Sequence, residues 1–424
     1  RGNVGACGGS CMSNDTKRNN VAARQSTVCV PRVLLPANAD MRKWSVVACD
    51  QFTSDKAYWD KLYEYAGNAP STLNMILPEC YLGCCDEAER SAGIEKTMRE
   101  YLSSELFYEV NSFVSVSRKF ASGKVRRGLV CAIDLTDYEY AAGNKALIRA
   151  TEGTVEERLP PRVKIRERCP LELPHVMLLA DDPKNILFSA VCGHEGKTLY
   201  DFELNAGGGH ITGKEVADSQ AVINAFAALK EDTKARCGED LLLLVGDGNH
   251  SLAAAKKCYE KAKAENDETA ELKRYALCEI VNLYDSGIEF EPIHRALFGV
   301  NPESVAKELK ELSAGFPLPA VMRGGGREYE YALPAEPISA VAFVQDFAAK
   351  YAEKTGCTVD YIHGENALNK LGDKPDCAAI PLPPIDKSGF TEYILRNGVL
   401  PKKTFSMGHA EEKRYYLEAR RIGN

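Results

Sequence analysis

The sequence predicts a mixed α/β protein, and three features carry that expectation. Short apolar runs closed by glycine or polar residues, at 173–180 and 241–245, have the length and composition of buried strands. Longer amphipathic stretches such as 216–235 lie between them and space their apolar residues as helices do. No internal repeat or sustained heptad pattern competes with this alternation of elements.

Taken in order, 46–49 reads as a strand, and Ser54 with Asp55 reads as the cap of a helix in which Tyr58, Leu62 and Tyr65 share a face. A second helix is expected over 86–103. Strands at 107–117 and 126–135 flank Ser122-Gly123-Lys124, which predicts a hairpin, and 146–150 is a candidate to extend it. The runs at 173–180 and 241–245 are expected as central strands with the 216–235 helix between them, followed by a strand at 276–283. A run at 288–297 leads to a cap at Asn301 and a helix through Leu312. The stretch 316–326, with two prolines and three successive glycines, reads as a linker, after which a helix at 338–352 and a strand at 358–362 are expected. The domain expectation is a disordered leader at 1–27, a catalytic domain at 28–299 and a C-terminal α/β domain at 300–424.

Composition excludes several classes of function. The 53 Lys and Arg against 60 Asp and Glu give a net charge of −7, the wrong sign for general attraction to a nucleic-acid duplex. The longest uninterrupted apolar runs, Leu241 to Val245 among them, are strand-sized, so no membrane span is expected. The leader lacks the apolar core of a secretory signal, which predicts a cytoplasmic protein whose 15 cysteines stay reduced. None of the close cysteine spacings is a CxxC pair, and no structural zinc site is expected.

The segment 241–256, Leu-Leu-Leu-Leu-Val-Gly-Asp-Gly-Asn-His-Ser-Leu-Ala-Ala-Ala-Lys, runs from strand through a tight turn into a helix. Gly246 and Gly248 free the backbone there, and the first amides of the helix, at Asn249 and Ser251, are a natural seat for phosphate. Asp247 and His250 place an acid and an imidazole beside that seat, suited to metal binding, proton transfer or charge stabilisation. The competing reading makes Asp247 and Asn249 plain turn formers and His250 or Ser251 a cap. The stretch has neither the GxxxxGK[ST] of a P-loop nor the third glycine of GxGxxG, which argues against a nicotinamide dehydrogenase.

Between Lys145 and Arg168, seven Lys/Arg against four Glu leave a local excess of positive charge. Arg149, Arg162 and Arg166 are candidates to grip a polyphosphate through paired hydrogen bonds, with Glu152 placed to bind metal or take a proton. The alternative is a solvated face of Glu–Arg pairs. Three smaller features follow: Asp50-Gln51 just past a strand, a glycine-rich stretch at 205–212 that reads as a hairpin turn, and a basic stretch at 401–409 positioned to reach a phosphate.

Several separated motifs now converge: Cys49-Asp-Gln-Phe-Thr-Ser, Ser71-Thr-Leu, Arg149-Ala-Thr-Glu-Gly-Thr, Gly246-Asp-Gly-Asn-His-Ser-Leu-Ala and Pro292-Ile-His-Arg295. From about Val28 to the C-terminus the chain resembles the family catalogued as domain of unknown function 1015. Its Asp-Gly-x-His turn before an Ala-rich helix also resembles the phosphate-binding turn of the ParB/sulfiredoxin superfamily, which includes free serine kinases. The resemblance implies a ParB/sulfiredoxin-like core with large insertions, with phosphate bound where Asp247, Gly248 and His250 match the turn. Where those relatives have Arg after the His, this chain has Ser251, so Arg149, Arg162 or Arg166 would have to supply that contact. The acid that activates the substrate hydroxyl matches Asp50 or Glu79.

The expectation is therefore a phosphotransferase acting on a small hydroxyl substrate, free L-serine above all, with pyrophosphate or a nucleotide (ADP or ATP) as phosphoryl donor. Its catalytic residues would be Asp247, His250, Asp50 and Glu152, with phosphate held by Gly246, Gly248, Asn249, Ser251, Arg149, Arg162 and Arg166, and Mg²⁺ by Asp247 or Glu152. The competing expectation is a non-catalytic nucleotide-sensing module of the ParB-like kind. The expected partners are small molecules, without nucleic acid or membrane, and the sequence carries no signal for an oligomeric state.

Overall fold

A computed structural model of the chain describes residues 26–48, 52, 55–81, 87–401 and 403–424. It is a mixed α/β protein built on two large sheets, of ten and six strands, with three two-stranded sheets beside them. The larger, ten-stranded sheet runs in the order Glu195–Glu203, His210–Val216, Val114–Lys119, Val125–Asp134, Tyr275–Asn282, Met177–Ala180, Leu243–Asp247, Ile148–Ala150 and Tyr138–Glu139, with Val28–Cys29 paired to Val125–Asp134. The two strands expected to be central are neighbours: Met177–Ala180 pairs antiparallel with Leu243–Asp247 and parallel with Tyr275–Asn282. All four residues of Met177–Ala180 are buried, as a strand covered on both faces requires.

Helices cover this sheet where the sequence supplies caps. Asp218 accepts a hydrogen bond from the Ala221 amide at the start of helix Ser219–Cys237, and Gly238 closes it in the left-handed conformation at φ 77°. Asp55 caps Lys56–Ala66 in the same way through the Tyr58 amide, whereas Ser54, the other cap candidate, lies outside the described residues. Helix Asn249–Ala264 follows directly from strand Leu243–Asp247 and buries Leu252, Ala253, Ala254 and Ala255.

The second sheet contains Arg327–Leu333, Leu318–Gly324, Cys377–Ile380, Phe290–Phe298 and Thr358–His363 in that order, with Phe405–Met407 paired to the first residues of Phe290–Phe298. Helices Pro302–Leu312 and Pro337–Thr355 bury Val305, Leu309, Val341 and Val344 against it. Asn301 caps the former through the Glu303 and Ser304 amides, as its position in the sequence predicts.

Three local expectations are corrected. The stretch 316–326 is no linker: Leu318–Gly324 and Arg327–Leu333 form a hairpin turned by Gly325 and Gly326, both at positive φ. Pro319 is tolerated because Leu318–Gly324 meets Cys377–Ile380 only through Arg323 and Gly324, leaving its far edge open beside the proline. The run 107–117 is broken at Ser112 and Phe113 into Phe107–Asn111, which pairs with Arg32–Pro36, and Val114–Lys119, which enters the large sheet. Ile148–Ala150 joins that sheet beside Leu243–Asp247 rather than beside the 114–134 hairpin.

After the second sheet the chain returns to the N-terminal half through two separate two-stranded sheets. Tyr415–Tyr416 pairs with Val46–Val47 and Arg420–Arg421 with Leu171–Glu172, so the C-terminal segment is stitched into the N-terminal half. Glu172 anchors the return. Burial alone would raise its carboxyl, but Arg420 and Arg166 hold it below the ordinary glutamate range. Arg420 donates to Glu172 at 2.5 Å, the Leu277 amide donates to it at 3.0 Å, and Arg166 closes the cluster. Among the described residues no helix is long and apolar enough to cross a membrane.

Candidate functional site

The strand Leu243–Asp247 and the helix Asn249–Ala264 are joined by a single residue, Gly248, at φ 84°. That left-handed conformation is readily open only to glycine, and a Cβ there would stand 3.0 Å from Val176. Gly246 is needed for a different reason: a Cβ would meet Leu179 at 2.8 Å and Met407 Sδ at 2.9 Å. The turn is thus pressed against both the neighbouring strand and the C-terminal segment.

The parallel strand Ile148–Ala150 delivers 151–155 to the same place. Thr151 donates from Oγ1 to the Val245 carbonyl at 2.5 Å, and its amide donates to Asn249 Oδ1 at 3.3 Å. Further along the loop, the Val155 amide donates to His250 Nε2 at 3.2 Å. That bond leaves the His250 proton on Nδ1 and makes the imidazole a clasp for the loop. The Leu400 amide donates to the Thr151 carbonyl at 2.7 Å, which fixes Glu152 between the turn and the C-terminal segment.

Lys413 lies against Asp247. Its Nζ is 3.1 Å from Asp247 Oδ2, with side chains 8% and 21% exposed, while Asp247 Oδ1 accepts from the Gly248 amide at 2.9 Å. Burial would raise the Asp247 carboxyl, but Lys413, His175 and these hydrogen bonds outweigh it and hold it below the ordinary aspartate range. Glu152 moves the other way. Burial raises its carboxyl and the Asp247 charge adds to this, with Lys403 and Lys413 opposing. Two neighbouring carboxylates are thereby pushed apart in acidity, a recurrent property of acid–base sites.

Buried arginines hold the segment that brings Lys413. Arg118 donates to the carbonyls of Glu411 and Lys413, each at 2.5 Å, and of Glu412 at 3.2 Å, and Arg126 donates to Glu412 at 2.8 Å. Burial first, and Arg126 next, lower the Arg118 guanidinium to about 9. Arg295 does comparable work for Lys403, donating to its carbonyl at 3.0 Å while Lys403 sits at φ 54°. A lysine kept in the left-handed region is strained, and strain of this kind gathers at binding sites. His409 faces Glu291 at 3.4 Å on the same side.

The sequence-derived candidates divide sharply in place. Gly246, Asp247, Gly248, Asn249, His250 and Ser251 form one turn, with Glu152 beside it. Arg149 is not brought there: it is buried at the opposite end of the strand pair, donating to Glu239, Ala146 and Asp240, which precedes the strand that Asp247 ends. Arg166 is spent on the buried Glu172 cluster. Arg162 lies on helix Leu159–Arg168 and donates to the Arg158 carbonyl at 3.1 Å. The cations at the turn are instead Lys413, which sequence reasoning missed, and Lys403, from the basic stretch it noticed. Asp50 and Lys402 lie outside the described residues, as does 1–25 of the expected leader, and Glu79 lies in the short turn Glu79–Tyr81. The 205–212 stretch is the expected hairpin turn between Glu195–Glu203 and His210–Val216.

Asp247 and Glu152 are the carboxylates at the turn that could hold a divalent cation. Among the described residues no group of three or more His, Cys, Asp or Glu could hold a metal ion. The pair fits Mg²⁺, which commonly takes one or two carboxylates and completes its shell with phosphate and water oxygens.

Fold and site together define a mixed α/β protein with a Gly-Asp-Gly strand–turn–helix unit closed by its own C-terminal segment. The chain belongs to the family described as protein of unknown function (DUF1015), whose model matches residues 32–422. No curated protein matches it. Solved structures similar to it include a conserved hypothetical protein from Pyrococcus furiosus, at 11% identity over 66% of this chain and 90% of that one, with a TM-score of 0.32. C-terminally truncated SbnI from Staphylococcus aureus is 10% identical over 66% and 82% of the two chains, with a TM-score of 0.34. A free serine kinase mutant in complex with AMP is 13% identical over 69% and 88%, with a TM-score of 0.36.

Proposed function

We propose that the protein is a small-molecule kinase that moves a phosphoryl group from pyrophosphate or a nucleotide to a hydroxyl acceptor, free L-serine being the acceptor the Asp-Gly-x-His motif favours. One observation carries this reading: Asp247, at the turn between strand and helix, is ion-paired with the buried Lys413 and neighboured by Glu152, so charge that can hold and release a phosphate is already gathered at the helix start. The amides following Gly248 and the ammonium groups of Lys413 and Lys403 bind and orient the donor, doing what a transferring phosphoryl group chiefly demands. Asp247 and Glu152 would hold Mg²⁺, which would supply neutralisation of the charge on the donor oxygens. Glu152 also accepts a hydrogen bond from the acceptor hydroxyl. His250 keeps the 151–155 loop and hence Glu152 in register.

The test incubates the protein and Mg²⁺ with serine and, separately, pyrophosphate, ADP and ATP, and follows phosphoserine by mass. Asp247→Asn and His250→Ala are expected to fold and to lose at least ~100-fold in turnover. Unchanged turnover in either variant removes that residue from the mechanism, and tight nucleotide binding without product from any donor removes the kinase reading.

A further inference from the structure

A hydroxyl–imidazole–phenol chain beside Asp247 is left unused by this mechanism. Ser251 Oγ is 3.3 Å from His175 Nε2, and His175 Nδ1 is 2.9 Å from the Tyr416 hydroxyl, with the two rings edge to face at 5.4 Å. Three separate parts of the chain supply it: the first turn of helix Asn249–Ala264, the loop before strand Met177–Ala180, and strand Tyr415–Tyr416. Ser251 and His175 are both half-buried, so a solute can reach the hydroxyl while the imidazole stays fixed. With Nδ1–H donated to the Tyr416 oxygen, Nε2 is free of hydrogen and accepts from Ser251. This is the arrangement of a nucleophile, its base and the group that orients the base.

We propose that Ser251 is a nucleophile that takes the phosphoryl group from the donor before the acceptor does. The proposal rests on the kinase reading above. In the first half, Ser251 Oγ bonds to the terminal phosphorus of pyrophosphate or a nucleotide. The bond from that phosphorus to the bridging oxygen breaks, the leaving phosphate or nucleotide keeps its electron pair, and the hydroxyl proton passes to His175 Nε2. In the second half the acceptor oxygen bonds to phosphorus and its proton passes to Glu152, which releases it to solvent. The Oγ–P bond then breaks, and Oγ recovers its proton from His175. Tyr416 is a positioning residue, accepting from Nδ1–H and favouring the imidazolium that each half passes through.

The experiment omits the acceptor. The full chain is mixed with Mg²⁺ and pyrophosphate or ATP, quenched with acid-free denaturant, and its intact mass and phosphorylated peptide are determined. One phosphoryl group on Ser251 is expected, discharged when serine is added, and Ser251→Ala should lack it and lose at least ~100-fold in phosphoserine formation. Tyr416→Phe should slow adduct formation at saturating donor while leaving the KM for donor unchanged, because it releases the imidazole from its orientation without touching the donor site. A wild-type chain that makes phosphoserine without carrying phosphate on Ser251, or a Ser251→Ala variant with wild-type turnover, overturns the covalent step and leaves the kinase reading standing. Absence of both adduct and phosphoserine overturns the two together.

Discussion

Replacing Lys413 with methionine keeps most of the side-chain volume and removes only the charge facing Asp247. The ammonium is 3.1 Å from the carboxylate, and the two side chains are 8% and 21% exposed. Removing one partner of a buried pair costs about 3–5 kcal/mol, because the other charge is left behind. Asp247 retains its bond from the Gly248 amide and some contact with water, so the low end, about 3 kcal/mol near neutral pH, is expected. The pH dependence has a definite sign. In the wild type the Asp247 carboxyl is held below its unfolded value, so its contribution is present above that value and is lost as pH falls through the folded one. In Lys413→Met burial is opposed only by His175 and the Gly248 amide, and the carboxyl rises. The variant's deficit is then largest near neutrality and shrinks as acid protonates the buried group. Urea unfolding of both proteins from about pH 7 down to about pH 4.5 reads the gap, and Asp247→Asn in the Lys413→Met background should recover most of it. A gap that stays constant with pH, or a double variant no better than the single one, would refute the pairing.

Two further outcomes follow from local geometry. Gly248→Ala, at φ 84° with its Cβ 3.0 Å from Val176, should lower stability by about 1–3 kcal/mol in the same unfolding assay, whereas Gly143→Ala, at φ 73° with open space around it, should cost only the backbone term. Glu172→Gln leaves Arg166 and Arg420 without their shared carboxylate and is expected to cost about 3–5 kcal/mol, detected as early loss of structure on denaturation.

Much of the architecture was legible because it rests on local chemistry. The caps at Asp55 and Asn301, the glycine hairpin turn after Leu204, and the apolar runs that became Met177–Ala180 and Leu243–Asp247 each announce themselves within a few residues. The misreadings arose where a non-local partner decided the outcome. Pro319 and the glycines after it look like a linker until Cys377–Ile380, more than fifty residues on, leaves that strand an open edge. Ile148–Ala150 adjoins the hairpin in sequence, yet it pairs with Leu243–Asp247 almost a hundred residues later.

The same distinction explains the site. The turn from Gly246 to Ser251 is contiguous, so its residues stay together in any fold that forms the strand and helix. Its cations are not contiguous, and charge counting along the chain pointed to Arg149 and Arg166, which are themselves claimed by ion pairs with the half-buried Glu239 and the buried Glu172. An arginine near a buried carboxylate is retained by it, since five fixed donors and the cost of stranding either charge favour the pair over a ligand. Lysine's single ammonium on a flexible stem is easier to lend. Lys413 reaches the turn only because Tyr415–Tyr416 and Arg420–Arg421 stitch the chain end to Val46–Val47 and Leu171–Glu172, while Arg118 and Arg126 grip the carbonyls around it. The C-terminal segment therefore closes the site as well as the fold, and weakening its attachment, at Glu172 or at Arg118, should disturb Asp247 from a distance.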